Sequence, residues 1–221
     1  MAWGGLAAQV WFVGSFLLAG LWQGPRYSVL AHSMSDMYAV TAPGGWFLVV
    51  AFTLYGVAML VFAALAVWPT LKVGNRWWAG SACVVFALSI YGLGNLLSPW
   101  ERLACRMADP GCTSAAQVAN SGGALDDALS FPGIVLFFIA VLLAAEAMKR
   151  TPGWRAWAWP ARWWGIGFFL LLVGSTVAFG MNLGLDGLIE RLLAASGAVG
   201  LGVFAWGIAR KAGEAKAAEA A

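Results

Sequence analysis

The sequence predicts an all-α, polytopic membrane protein with six transmembrane helices in one bundle. Three observations predict it. The 221-residue chain is 62% apolar and only 10% charged, whereas a soluble domain carries about 25% charged residues. Its mean hydropathy is +0.79. Apolar runs recur at close to the ~20 residues that take a helix across a bilayer, and strand-like alternation is too scarce for a barrel. A net charge of +3 is no nucleic-acid signal; its distribution along the chain says more.

The first window, 5–22, has no basic segment before it and is long for a signal peptide, so it reads as a helix. Windows 45–67 and 78–98 are predicted as the second and third spans, 131–148 as the fourth, 164–182 as the fifth and 188–209 as the sixth. Residues 1–211 make one transmembrane domain, and the Ala-rich, charged stretch 212–221 a short cytoplasmic tail. Glycines recur at packing intervals in 197–207 (GAVGLGVFAWG), where small residues let helices approach within the same molecule.

Lys and Arg set the orientation. Nine of them (Lys72, Arg76, Lys149, Arg150, Arg155, Arg162, Arg210, Lys211 and Lys216) fall on one side, against Arg26, Arg102, Arg106 and Arg191 on the other. The richer side, with both termini, is predicted cytoplasmic. Most acids fall on the opposite, outer side. Trp residues cluster at the predicted helix ends, as amphipathic rings do at the headgroup level. The run TPGWRAWAWPARWW (151–164) is expected to lie flat on the inner leaflet, its Arg meeting anionic lipid. Glu146 lies within a turn of Lys149 and Arg150 and predicts an interfacial ion pair.

Cys105 and Cys112 flank an Asp-Pro-Gly turn in the long outer loop, a pattern that predicts a disulfide on an oxidising face. Two thiolates without nearby histidines do not make a zinc site. Cys83, in the third window, reads as a small buried apolar residue. A single histidine argues against a multi-His metal centre, and no phosphate-binding loop, dinucleotide fingerprint or nucleophile elbow is present. Neither metal nor cofactor is expected.

The polar residues concentrate on the outer side. The first loop supplies His32, Ser35, Asp36 and Tyr38; the end of the third span supplies Tyr91 and Asn95; the entry to the fourth supplies Asp126 and Asp127; and Asn182 closes the fifth. His32 and Asp36 share a face if that stretch is helical. Asp36 then has two readings: a residue that caps a helix, or a half-buried carboxylate beside an apolar cavity, near Asp126 or Asp127. Asp126 and Asp127 likewise read as dipole-compensating acids at a helix start or as a general-acid pair.

Around Tyr27, Ser28, Leu30, Ser35 and Asp36 the chain resembles the bacterial six-helix proteins of domain-of-unknown-function family 998. The cysteine loop followed by LDDALS is similar to actinobacterial members. The same stretch resembles a Y-I-S-D-x-G segment of the FRAG/DRAM/SFK membrane family. The first resemblance implies a multi-pass protein of the bacterial cytoplasmic membrane with no assigned activity; the second, linked to lipid remodelling, implies a lipid ligand.

The leading functional expectation is therefore a membrane protein that binds a lipid or isoprenoid-like molecule at the outer ends of its helices. His32, Ser35, Tyr38, Tyr91, Asn95 and Asn182 are the expected binding residues. A second possibility is a small terpene cyclase, in which Asp36, Asp126 or Asp127 is the protonated acid and aromatic faces stabilise the carbocation. A third is a scaffold or small transporter, for which the spans carry few deep polar residues.

Overall fold

The computed structural model describes residues 1–181 and 183–219, excluding the side chains of Lys216 and Glu219. Asn182, an expected binding residue, lies outside the described residues. The described chain is helical, without strands. Helix α1 (Ala2–Ala19) runs on into a 3₁₀ turn that ends at Trp22. Helix α2 (Gly45–Phe62) continues through a π turn (Ala63–Val67) to Leu71. Helices α3 (Arg76–Leu88), α4 (Ser121–Arg150), α5 (Arg155–Gly180) and α6 (Asp186–Glu219) follow. Among the described residues, five helices are long and apolar enough to cross a membrane.

The third predicted span is not one continuous helix. Helix α3 stops after 13 residues, and Ser89 turns extended (φ −74°, ψ 174°) before a π turn, Ile90–Gly94. Polar side chains cover the carbonyls that such a break frees: the Ser89 hydroxyl donates to the Phe86 carbonyl at 2.7 Å, and Asn95 Nδ2 donates to the Ile90 carbonyl at 2.6 Å. Helix α2 backs onto the break through Gly56, where a Cβ would lie 2.5 Å from the Leu96 nitrogen.

Helix α4 starts ten residues before its predicted window. Asn120 caps it, its side chain accepting from the Gly123 N–H at 2.7 Å. Asp126 and Asp127 thus sit beyond the first turn, where the dipole no longer accounts for them. The Trp/Arg run is not a flat surface loop: α5 begins at Arg155 and carries Trp157, Trp159 and Trp163 into the span, with Pro160 inside it. Glu146 pairs with Arg150 and, at 3.1 Å, with Arg162.

Helix α6 packs against α1 and α5. A Cβ at Gly197 would lie 1.8 Å from the Tyr91 hydroxyl, and one at Gly200 2.3 Å from the Trp164 ring. These glycines serve packing inside the molecule, as expected. The core they serve is aromatic: Phe137 contacts Tyr91, Phe168 and Trp164 at centroid separations of 4.3, 5.1 and 5.9 Å.

Candidate functional site

Three segments close one end of the bundle. The first loop (23–44) docks on the start of α6: the Leu188 N–H donates to the Leu30 carbonyl at 2.9 Å, and the Met34 N–H donates to Glu190 Oε2 at 2.8 Å. The loop between the break and α4 docks on the first loop, with the Val40 N–H donating to the Leu103 carbonyl at 2.8 Å. Cys105 and Cys112 are disulfide-bonded, with Cα atoms 6.1 Å apart. Arg106 pairs with Asp109 at 2.6 Å and donates to the Gln23 carbonyl at 2.9 Å. That pairing, with the Thr41 hydroxyl and the Arg106 N–H, holds the Asp109 carboxyl below its ordinary range.

Asp36 is fully buried. Its carboxylate accepts from the Met107 N–H at 3.2 Å and from Gln117 Nε2 at 2.7 Å. It fastens the disulfide loop to the first loop and is not in the wall of the cavity described below. Burial pushes its carboxyl up, and the Met107 and Gln117 hydrogen bonds oppose the rise. It does not share a helical face with His32, because this stretch is turns and a short 3₁₀ segment, Ser35–Tyr38. Instead the His32 ring accepts from the Ser28 N–H at 2.8 Å. A one-turn 3₁₀ segment satisfies the backbone here because side chains supply the remaining partners.

Beneath this lid lies a cavity of about 130 Å³. Its apolar wall includes Phe12, Phe52, Ile134, Phe168 and Leu193; its polar wall includes Ser35, Tyr38, Tyr91, Asn95, Ser98, Glu101, Asp126, Ser130 and Glu190. Of the residues expected from sequence, the structure brings together Ser35, Tyr38, Tyr91, Asn95 and Asp126. Asp127 is exposed on α4, and His32 is half-buried outside the wall. The break in the third span places Tyr91 and Asn95, and α4's early start turns Asp126 inward, where it accepts from the Tyr38 hydroxyl at 3.2 Å.

Glu101 and Glu190 complete the acidic wall, and sequence reasoning missed both as site residues. Glu190 sits in the second turn of α6. Glu101 is 4% exposed, and its Oε1 has no hydrogen-bond partner among the described residues. Burial, reinforced by the Asp126 charge, pushes the Glu101 carboxyl up to about 8. Burial likewise raises the Tyr38 hydroxyl well above its ordinary value, so it stays a neutral donor. The only signal for Glu190 in the sequence is an acid inside an apolar run.

A family model described as "Protein of unknown function (DUF998)" matches residues 6–207. The chain belongs to this family. No curated protein and no solved structure matches it. The matched stretch contains the first loop, the disulfide loop and every residue of the acidic cavity, so the site of this DUF998 protein lies wholly within its family domain.

A second cavity, of about 220 Å³, lies in the other half of the bundle. Phe62, Cys83, Phe137, Trp157, Trp164 and Phe204 are in its wall, which is almost entirely apolar. Phe137 stands between the two cavities, touching Tyr91 and Phe168 of the first. Cys83 faces this chamber as a free thiol. Among the described residues, no three His, Cys, Asp or Glu side chains are placed to hold a metal ion.

Proposed function

We propose that this protein binds a lipid or isoprenoid-like amphiphile, its head in the acidic cavity and its tail among the helices. The supporting observation is the buried oxygen of Glu101 that has no partner among the described residues, in the wall of a cavity that is polar on one side and apolar on the other. An orphaned buried acceptor costs about 1–3 kcal/mol, and a bound polar head relieves that cost. The second, apolar cavity offers volume for a chain. The test is native mass spectrometry of protein purified in mild detergent, with farnesol added as a neutral isoprenoid probe. Bound amphiphile is expected on the wild type and lost from Ser130→Trp, which fills the cavity from α4. A folded Ser130→Trp that still carries the adduct overturns the reading.

A second reading, acid-initiated terpene cyclisation, is favoured by one specific observation. A carboxyl raised to about 8 is protonated at neutral pH, and it shares its cavity with the rings of Phe12, Phe52, Tyr91 and Phe168. Glu101 would protonate an alkene or epoxide, and loss of a proton from the cyclised cation would restore it. Cyclisation of a linear isoprenoid epoxide that survives in Glu101→Gln would remove this reading.

For topology, we place both termini in the cytoplasm of a bacterial cytoplasmic membrane, with the lid outside and 76–97 completing six crossings. The Lys/Arg asymmetry supports this orientation. The turns 72–75 and 151–154 share one end of the bundle, where the Thr151 hydroxyl donates to the Leu71 carbonyl at 3.2 Å. A cysteine introduced at Arg155 is expected to resist membrane-impermeant reagent in intact cells. Labelling there would invert the topology.

A further inference from the structure

The acidic cavity is rich in acceptors and poor in donors. The Tyr38 hydroxyl is spent on Asp126, that of Tyr91 on the Ala194 carbonyl and that of Ser98 on the Asn95 carbonyl. Asn95 gives one N–H to Ile90. What remains is the Ser130 hydroxyl, the second Asn95 N–H, the Ser35 hydroxyl, which shares one hydrogen bond with Ser33 Oγ, and the proton that Glu101 carries at neutral pH until a neighbouring cation weakens its hold. Against these stand the carboxyls of Glu101, Asp126 and Glu190. Glu101 Oε1 has no partner among the described residues, while Asp126 and Glu190 each use one oxygen, on Tyr38 and on the Met34 N–H.

No Lys or Arg lies in the wall among the described residues. Of the four arginines around the lid, three are committed elsewhere, and the fourth, Arg26, is exposed and outside the cavity wall. Arg102 donates to the Tyr38 and Ala39 carbonyls, both at 2.9 Å, and lies over Trp46. Arg106 is held by Asp109 and Gln23. Arg191 donates to the Val29, His32 and Gly187 carbonyls. A phosphate head would therefore meet three carboxyls and no free cation. A hydroxyl head brings one donor. A primary ammonium brings three donors, no acceptor and a compensating charge, and aromatic walls such as those of Phe12, Phe52 and Phe168 suit a desolvated cation.

We infer that the ligand head selected by this cavity is a primary ammonium, held by Glu101, Asp126 and Glu190. This rests on the amphiphile reading for the tail but not for the head. The test is calorimetric titration of detergent-solubilised protein with dodecylamine, dodecyltrimethylammonium, dodecanol, dodecyl phosphate and n-butylamine. Dodecylamine is expected to bind at least about tenfold more tightly than the trimethylated, hydroxyl or phosphate analogues. Glu190→Gln and Asp126→Asn, each checked for an unchanged fold by circular dichroism, should lose that preference.

Butylamine binding as tightly as dodecylamine would point to a soluble amine: the ammonium inference would stand and the amphiphile reading would fall. Dodecanol equalling dodecylamine would do the reverse. Trimethylammonium equalling the primary amine would show that N–H donors are not read, and tighter phosphate binding would show that the acids do not face the head. Either result overturns the inference, as does a preference retained in both carboxyl variants.

Discussion

Replacing Arg191 with methionine is expected to detach the first loop from α6, at a cost of about 3–5 kcal/mol from the several acceptors it leaves unpaired. The side chain is 6% exposed. One guanidinium nitrogen donates to three backbone carbonyls, Val29 and His32 at 2.9 Å and Gly187 at 2.7 Å, and the other donates to the Tyr27 hydroxyl. Methionine keeps much of the volume but strands these acceptors in a buried seam, and each unpaired group costs about 1–3 kcal/mol. The seam cannot close around the loss, because Gly187 already lets the loop approach: a Cβ there would lie 2.1 Å from the His32 carbonyl oxygen. The melting temperature should fall by on the order of 10 °C, with hydrogen exchange rising first in 27–34. Arg191→Lys should recover part of the loss, since an ammonium lacks the planar fork. Arg26→Met, at an exposed site, should change stability by less than about 0.5 kcal/mol. An Arg191→Met variant as stable as Arg26→Met would show that the seam holds without its guanidinium.

The long spans were legible because hydropathy alone dictates them: a run such as 45–67 has no other stable state in a bilayer. The disulfide was legible for a local reason, two cysteines around a Pro-Gly turn. The break at Ser89 was not, because the window 78–98 as a whole stays apolar across it. Its signal was finer: a serine, two glycines and an asparagine within seven residues, each able to cover or bare a carbonyl. Asp36 was singled out and lies fully buried, yet sequence could not show that its partners would be Met107 and Gln117, seventy or more residues away. Separation along the chain also hid Glu101 and Glu190, 25 and 64 residues from Asp126. In the sequence they are outer-side acids like any other; only the docking of three segments brings them into one wall with Asp126. Helix starts mattered as well. With α4 taken to begin near Phe131, Asp126 and Asp127 looked alike, whereas the Asn120 cap makes them consecutive positions of a formed helix, one inward and one exposed.

The second large effect expected is a stability that falls as pH rises from 5 to 9, and that Glu101→Gln reduces. The folded Glu101 carboxyl lies at about 8, whereas in an unfolded chain it returns to about 4.3. A group whose folded value is raised binds its proton more tightly when folded. Its contribution is therefore complete below the unfolded value and is lost as pH climbs through the folded one. With each tenfold difference in proton affinity worth about 1.4 kcal/mol, the loss across this window is about 3–5 kcal/mol. Glutamine keeps the shape and a donor and carries no charge, so its profile should be flatter and should cross above the wild type near neutral pH. A residual slope should remain from the other carboxyls of this region, Asp36, Asp126 and Glu190. The Arg106–Asp109 pair works in the opposite direction: it holds its acid below the ordinary range, so its stabilisation is lost only at pH values beneath this window. Melting curves of both proteins across pH 5–9 in a non-ionic detergent decide the matter. Equal slopes would mean that Glu101 ionises freely beside Asp126, and a protonated donor at neutral pH, on which the acid-initiated reading depends, would have no basis.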